Sequence, residues 1–228
     1  DGAMILVTGG AGYVGSHCVR ELVREGRDVV VFDNLSQGRR DAVLAQRFVE
    51  GDLLDSTALE RVFAEHDIEA VLHFAGLICV GESMVQPERY YEQNVGGTIN
   101  LLRQMRSSGV RQLVFSSSAA VYGDPRQVPI PEDHGKNPTS VYGRTKWIVE
   151  EILADCARGS GLRYVALRYF NAAGAASDGR LGETHRPETH LIPLVLAAAM
   201  DARREVRVFG TDYDTPDGTC IRDYVHVD

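Results

Sequence analysis

A strand that runs straight into a glycine turn and then a helix constrains this chain more than any other feature. Ile5 to Thr8 is a short apolar run, and Thr8–Gly9–Gly10–Ala11–Gly12–Tyr13–Val14–Gly15 follows it, opening a helical stretch from about Tyr13 to Glu25. Glycines at 9, 12 and 15 give GxxGxxG spacing. The first lets the backbone turn, the middle one lets a pyrophosphate approach the main chain, and the third lets helix and strand pack closely. The helix N-terminus adds free N–H groups and a dipole that favours an anion. Alone the motif is weak, because many tight turns carry glycines. Its place between strand and helix points to a dinucleotide.

The rest of the chain supplies the matching context. Short β-branched runs at Val29–Asp33, Arg47–Glu50, Ala70–Phe74, Leu113–Ser117 and Tyr164–Arg168 alternate with helical stretches. Those helices are expected after Asp55 to near His66, from Pro87 to Ser108, and from Ser140 to Arg158. Ser140 suits an N-cap and Gly159 to Gly161 a stop. This alternation predicts an α/β fold, a Rossmann-type doubly wound parallel sheet, over residues 1–171. Residues 172–228 read as the start of a smaller C-terminal substrate lobe: a Gly- and Ala-rich loop to Glu188, a helix at Leu191–Met200, a strand at Val206–Phe209 and a strand-like run at Arg222–Val227. With no cap or tail after that run, the chain reads as truncated.

Composition excludes several functions. A formal charge of −8 argues against a surface that tracks nucleic-acid phosphates. No apolar run approaches the roughly 18 residues of a membrane span. Cys18, Cys79, Cys156 and Cys220 form no CxxC pair and suit reduced thiols of a cytoplasmic protein. The seven histidines show no HxxxH spacing, so no metal site is expected.

Asp33 ends the second strand, where a carboxylate accepts hydrogen bonds from a ribose diol and repels a 2′-phosphate; this favours NAD over NADP. Arg39 and Arg40 nearby are read as solvated loop charges. Asp52 suits either an adenine contact or a cap on the next helix. Tyr142 and Lys146 lie four apart, on one helix face, and Lys136 is the only other lysine. A tyrosine with a pKa near 10 needs about 4 kcal/mol of differential stabilisation to serve as a base at neutral pH. A nearby ammonium and a positive nicotinamide ring both push that way. Ser116–Ser117–Ser118 stand at the carboxyl edge of the fifth strand, where ligands bind; Ser116 and Ser117 also suit a plain strand end, and His73 a packed residue.

Together these residues resemble the extended short-chain dehydrogenases/reductases. The segments Thr8–His17, Asp33–Leu35, His73–Gly76, Val80–Ser83, Phe115–Gly123, Tyr142–Lys146, Arg168–Asn171 and Asp217–Val227 are similar to the UDP-glucose 4-epimerase family. The resemblance implies Ser118, Tyr142 and Lys146 as catalytic residues. It implies NAD contacts at Gly9, Gly12, Tyr13, Val14, Gly15, Asp33, Asn34, Asp52, Leu53, Phe74, Ala75, Gly76, Asn94, Ser116, Tyr142, Lys146 and Tyr169. It places the UDP-sugar against Ser118, Tyr142, Asn171, His190, Leu191, Phe209 and Arg222, whose guanidinium fork suits a diphosphate. In the implied reaction Tyr142 removes the 4-hydroxyl proton as hydride leaves C4, the 4-keto sugar turns over, and hydride returns to the opposite face.

Ile78 stands where some members carry a lysine, and His190 where some carry an asparagine. The family also extends well past the length of this chain. A 4,6-dehydratase would need an acidic pair where this chain has Ala119 and Ala120. Epimerases of UDP-pentoses or UDP-N-acetylhexosamines, and an inactive NAD-binding fragment, stay open. A homodimer through Tyr91–Met105 and Trp147–Leu153 follows from the family, although those apolar faces suit a core equally well.

Overall fold

Two runs with no polar interruption, Met4–Thr8 (β1) and Val29–Asp33 (β2), are buried at every residue. That is the burial of strands covered on both faces. The computed structural model describes residues 2–228 except Arg186 and Phe209. Around β1 and β2 lie β3 (Arg47–Glu50), β4 (Ile68–His73), β5 (Gln112–Ser116) and β6 (Arg163–Leu167), all pairing in parallel in the order β3-β2-β1-β4-β5-β6. The strand order reverses between β1 and β4, which opens a crevice at their carboxyl ends.

Alternate residues of each strand feed two different cores. Leu6, Val30 and Phe32 pack with Leu59, Val62, Leu101, Met105, Val149 and Leu153. Ile5, Val7, Val29 and Val31 pack with Val19 on the other face. The helices involved are α1 (Tyr13–Arg24), α2 (Ser56–Glu65), then α3 (Val80–Val85), α4 (Pro87–Tyr90), a π-turn over Tyr91–Gly96, α5 (Gly97–Ser107) and α6 (Val141–Ser160). Ser140 caps α6 by accepting from Gly143 N, and Gly161 ends it in the left-handed conformation. The helix expected from Pro87 onward is present but widened by the π-turn, a feature that often marks functional sites. The short α3 had no clear periodicity in the sequence.

The chain forms two compact units, Asp1–Tyr169 and Phe170–Asp228. In the second, β7 (Asn171–Ala173) pairs in parallel with β8 (Tyr224–His226), and α7 spans Leu191–Met200. Ala173, Ala176 and Leu181 are buried. The strand expected at Val206–Phe209 is not formed: Val206 to Val208 have no strand pairing, and Phe209 lies outside the described residues. An apolar run becomes a strand only where a neighbour accepts its ladder, and none does here. No helix among the described residues is long and apolar enough to cross a membrane.

His73 ends β4 and bridges the crevice from below, 2.7 Å from Thr8 Oγ1 through Nδ1 and 2.9 Å from Thr98 Oγ1 through Nε2. Burial, with Lys146 nearby, lowers its pKa from 6.5 to about 3. The unfolded chain therefore takes up a proton near pH 6.5 that the folded chain refuses, and stability falls as pH drops from there toward 3. We expect His73→Gln, which cannot titrate, to lose less stability on acidification, by up to about 2 kcal/mol between pH 6.5 and 5. Urea midpoints of both proteins at the two pH values test this; parallel declines would refute it.

Candidate active site

The glycine turn is held by main-chain contact that leaves no room for side chains. Gly9 has φ +72°, and a Cβ there would lie 2.4 Å from Ala75 N; a Cβ on Gly15 would lie 2.2 Å from Gly9 O. Gly12 differs. A Cβ there would meet only Gly9 O, at 3.3 Å, so its missing side chain leaves space in the groove it lines. No side chain caps α1 at Gly12, and its first turn carries no acid. An anionic group fits this cradle, whose charge preference comes from the helix end.

The groove continues past Asp33, Asn34, Asp52, Leu53, Phe74 and Gly76. Asp33 is buried, accepting from Ala11 N at 3.0 Å and Leu35 N at 2.8 Å, which aims the carboxylate while burial raises its pKa. Asp52 accepts from Asn34 Nδ2 at 2.7 Å and Leu54 N at 2.8 Å. It does not cap α2; Asp55 does, accepting from Thr57 N and Ala58 N. The capping reading of Asp52 is thereby set aside, and its side chain lines the groove. Arg39 pairs with Asp41 at the surface and Arg40 lies over the Phe48 ring. Asn94 is buried; its Oδ1 accepts from Leu77 N at 2.8 Å, and its Nδ2 donates to Leu77 O and Thr145 Oγ1. Its amide thus fixes the Gly76–Leu77 backbone at the groove floor. Tyr13 and Val14 open α1 half-buried beside Gly12, and Ala75 lines the groove next to Gly76.

At the carboxyl end of β5, Lys146 is buried and donates from Nζ to Ser116 O at 2.8 Å. Its ammonium lies 5.0 Å from the Phe115 ring centroid and 5.8 Å from that of Tyr142. Ser118 stands beside Tyr142 and favours its charged form, and the Ser116 and Tyr169 hydroxyls bond each other. Burial pushes Tyr142 up to about 12 and Lys146 down to about 8. The expected lowering of Tyr142 is therefore not achieved by Lys146 alone. Removing water from the phenol opposes the charged form more than Ser118 favours it.

On the second unit, Asn171 starts β7 and donates from Nδ2 to Asp223 O at 2.7 Å, next to Arg222. His190 occupies the N-cap position of α7 without a side-chain capping bond and is half-buried, and the exposed Leu191 begins the helix. The pairing of β7 with β8 thus sets Asn171 opposite Tyr224, beside the backbone of Asp223 that follows Arg222. Phe209 lies outside the described residues.

The family described as NAD dependent epimerase/dehydratase matches residues 5–228. UDP-glucose 4-epimerase of Halalkalibacterium halodurans is 52% identical over 98% of this chain and 67% of its own. That of Rhizobium leguminosarum bv. trifolii is also 52% identical, over 99% and 69%. The chain belongs to the NAD-dependent epimerase/dehydratase family. Among solved structures, the UDP-glucose 4-epimerase of Brucella ovis in complex with NAD superposes with a TM-score of 0.94 at 51% identity, covering 99% of this chain and 70% of that one. The Bifidobacterium longum epimerase, solved with NAD+ and UDP, gives 0.93 at 41% identity with the same coverage. The chain spans about two thirds of the length of these relatives.

In this epimerase-family chain the sequence reading passed over a supporting network. Tyr142, Lys146 and Glu150 recur every fourth residue of α6, so all three face the sheet. Ser117 donates to buried Glu150, which also receives Arg168 in a two-armed pair; Arg168 Nη1 in turn reaches Tyr122 Oη at 2.9 Å. The pair raises the Arg168 pKa above its usual value. Ser117 is thus a structural anchor for the turn that carries Ser118. The four-residue stripe was the available signal. Glu150→Gln would leave Arg168 without its counter-charge. We expect about 3 kcal/mol of lost stability, the low end for a broken buried pair because Arg168 keeps a fifth of its surface. A urea midpoint matching that of the unsubstituted protein would contradict this.

Proposed function

We propose that this chain holds NAD in the Gly9–Gly15 groove and interconverts UDP-glucose and UDP-galactose at C4. The observation that carries this is the convergence of Ser118, Tyr142 and Lys146 at the end of β5, in the same unit as a groove whose middle glycine leaves room for a pyrophosphate. Asp33 and Asn34 would hold the ribose side, and Asp52 with Leu53 the adenine side. Phe74, Ala75, Gly76, Ser116, Lys146 and Tyr169 would line the nicotinamide end. Bound NAD supplies a hydride acceptor and donor, with a positive ring in its oxidised form.

The chain's own residues handle the proton. Burial favours the protonated phenol of Tyr142, so to act as base it would start a cycle as phenolate, take the 4-hydroxyl proton at its phenol oxygen and return it when the keto group is reduced. Ser118, beside it, would orient the sugar hydroxyl. Lys146, tied to Ser116 O, keeps its ammonium near the Tyr142 ring, and any further positive charge brought to the site draws the phenol toward the charged form. On the second unit, Arg222 suits the diphosphate, and Asn171, His190 and Leu191 the uridine, with Phe209 assigned there by resemblance alone. The four unpaired cysteines support a cytoplasmic setting.

We also propose a homodimer. Leu101, Met105, Val149 and Leu153 are core, so the dimer surface falls to the half-buried Trp147, Ile148 and Ile152 of α6. Light scattering that returns only the 25.0 kDa monomer would exclude it.

The purified chain is expected to release about one equivalent of NAD on denaturation. Given UDP-galactose, it should accumulate UDP-glucose. No nucleotide released and none taken up on addition would overturn the cofactor assignment; bound NAD without conversion would overturn the activity. Tyr142→Phe should slow conversion by about 10²- to 10⁴-fold while keeping NAD, the scale of a lost acid–base group. Near-normal turnover would remove Tyr142 from that role.

A further inference from the structure

We propose that Glu183, His185, Glu188 and His190 form a binding site for a zinc-class divalent cation. The segment carries two tandem triplets, Glu183–Thr184–His185 and Glu188–Thr189–His190, a short repeat that the sequence reading did not register. Each triplet presents one carboxylate and one imidazole, and the four ligand atoms gather within 4.8 Å of one another. Two histidines and two carboxylates are a donor set that zinc accepts.

The distances suit a small tetrahedral ion. With arms of about 2.1 Å, a tetrahedron has edges of about 3.4 Å. Here His185 Nδ1 lies 3.3 Å from Glu183 Oε1 and 3.7 Å from Glu188 Oε2. His190 Nδ1 lies 2.9 Å from Glu183 Oε1 and 2.9 Å from Glu188 Oε1. Seating the ion requires the close His190 contacts to open slightly and the widest separations, up to 4.8 Å, to draw in toward that edge.

The loop is held in this form by its own backbone. Ala176 N donates to Leu181 O, and buried Leu181 anchors the chain two residues before Glu183. Glu188 folds back to accept from Thr189 N and His190 N, both at 2.9 Å. The side chains of Glu183 and His185 keep only 7% and 14% of their surface. Two carboxylates face two imidazoles in a partly covered cluster, where a divalent cation can take the place of the protons that link them. Ligation through Nδ1 leaves the Nε2 edge of His190 for its proposed nucleotide contact. The site does not depend on the epimerase reading, because its test reads the metal and not turnover.

The untagged 228-residue chain, freed of metal by dialysis against a chelator, is titrated with Zn2+ in competition with a chromophoric chelator. One ion per chain is expected. Glu183→Gln and His185→Ala should each weaken binding by more than about 100-fold, beyond what residues outside the ligand set contribute. Cys220→Ser, which removes an exposed thiol, should leave it unchanged. Loading the unsubstituted chain with Co2+ should give the intense visible absorption of a tetrahedral site, a result independent of whether any variant folds. No stoichiometric ion, zinc held equally by both ligand variants, or only the weak absorption of octahedral cobalt would each overturn the proposal.

Discussion

The carbonyl of Thr8 accepts two amides from the neighbouring strand's end, Phe74 N at 2.9 Å and Ala75 N at 3.0 Å. That double acceptance fixes where β1 stops and where the chain after β4 turns away, and so sets the mouth of the crevice. Gly9 packs directly on the Phe74–Ala75 backbone, and only a residue without a side chain permits it. Gly12, Asp33 and Asp52 line the groove beside that turn. A strand order that reverses between β1 and β4 supplies the space; the Thr8 carbonyl gives it edges.

Burial shapes the chemistry more than any single charge does. Lys146 is as deeply buried as a core leucine, yet its ammonium has a carbonyl acceptor and two aromatic rings within reach. Tyr142 beside it is also removed from water, which raises the cost of its phenolate. Desolvation pulls the two groups in opposite directions, so the phenol stays neutral until positive charge reaches it. The Ser117–Glu150–Arg168 network fixes the neighbouring turn, so that Ser118 is oriented without relying on a mobile loop.

The second unit follows a different rule. Its α7 has a continuous apolar sequence but no buried residue, and its order rests on the β7–β8 pair and a few small buried side chains. Its polar groups are arranged locally instead. Glu183, His185, Glu188 and His190, four ligand-type side chains, gather within eight residues of chain.

The sequence alone determined the six-strand α/β unit, because strands buried on both faces must be continuously apolar and must alternate with helices. It also determined the glycine cradle, Asp33 and the Tyr142/Lys146 pair, since each depends on spacing within one element or across one turn. What spacing could not show is how distant elements share atoms. Only the tertiary structure assigned Asp52 to the groove and the α2 cap to Asp55, turned Asn94 into the clamp on Gly76–Leu77, and joined Ser117 to Glu150 and Arg168. Only it left Val206–Val208 without a ladder partner and drew two Glu–Thr–His triplets into one cluster. Local periodicity records which face a residue occupies; hydrogen-bond partners and desolvation are set by whatever the fold places opposite that face.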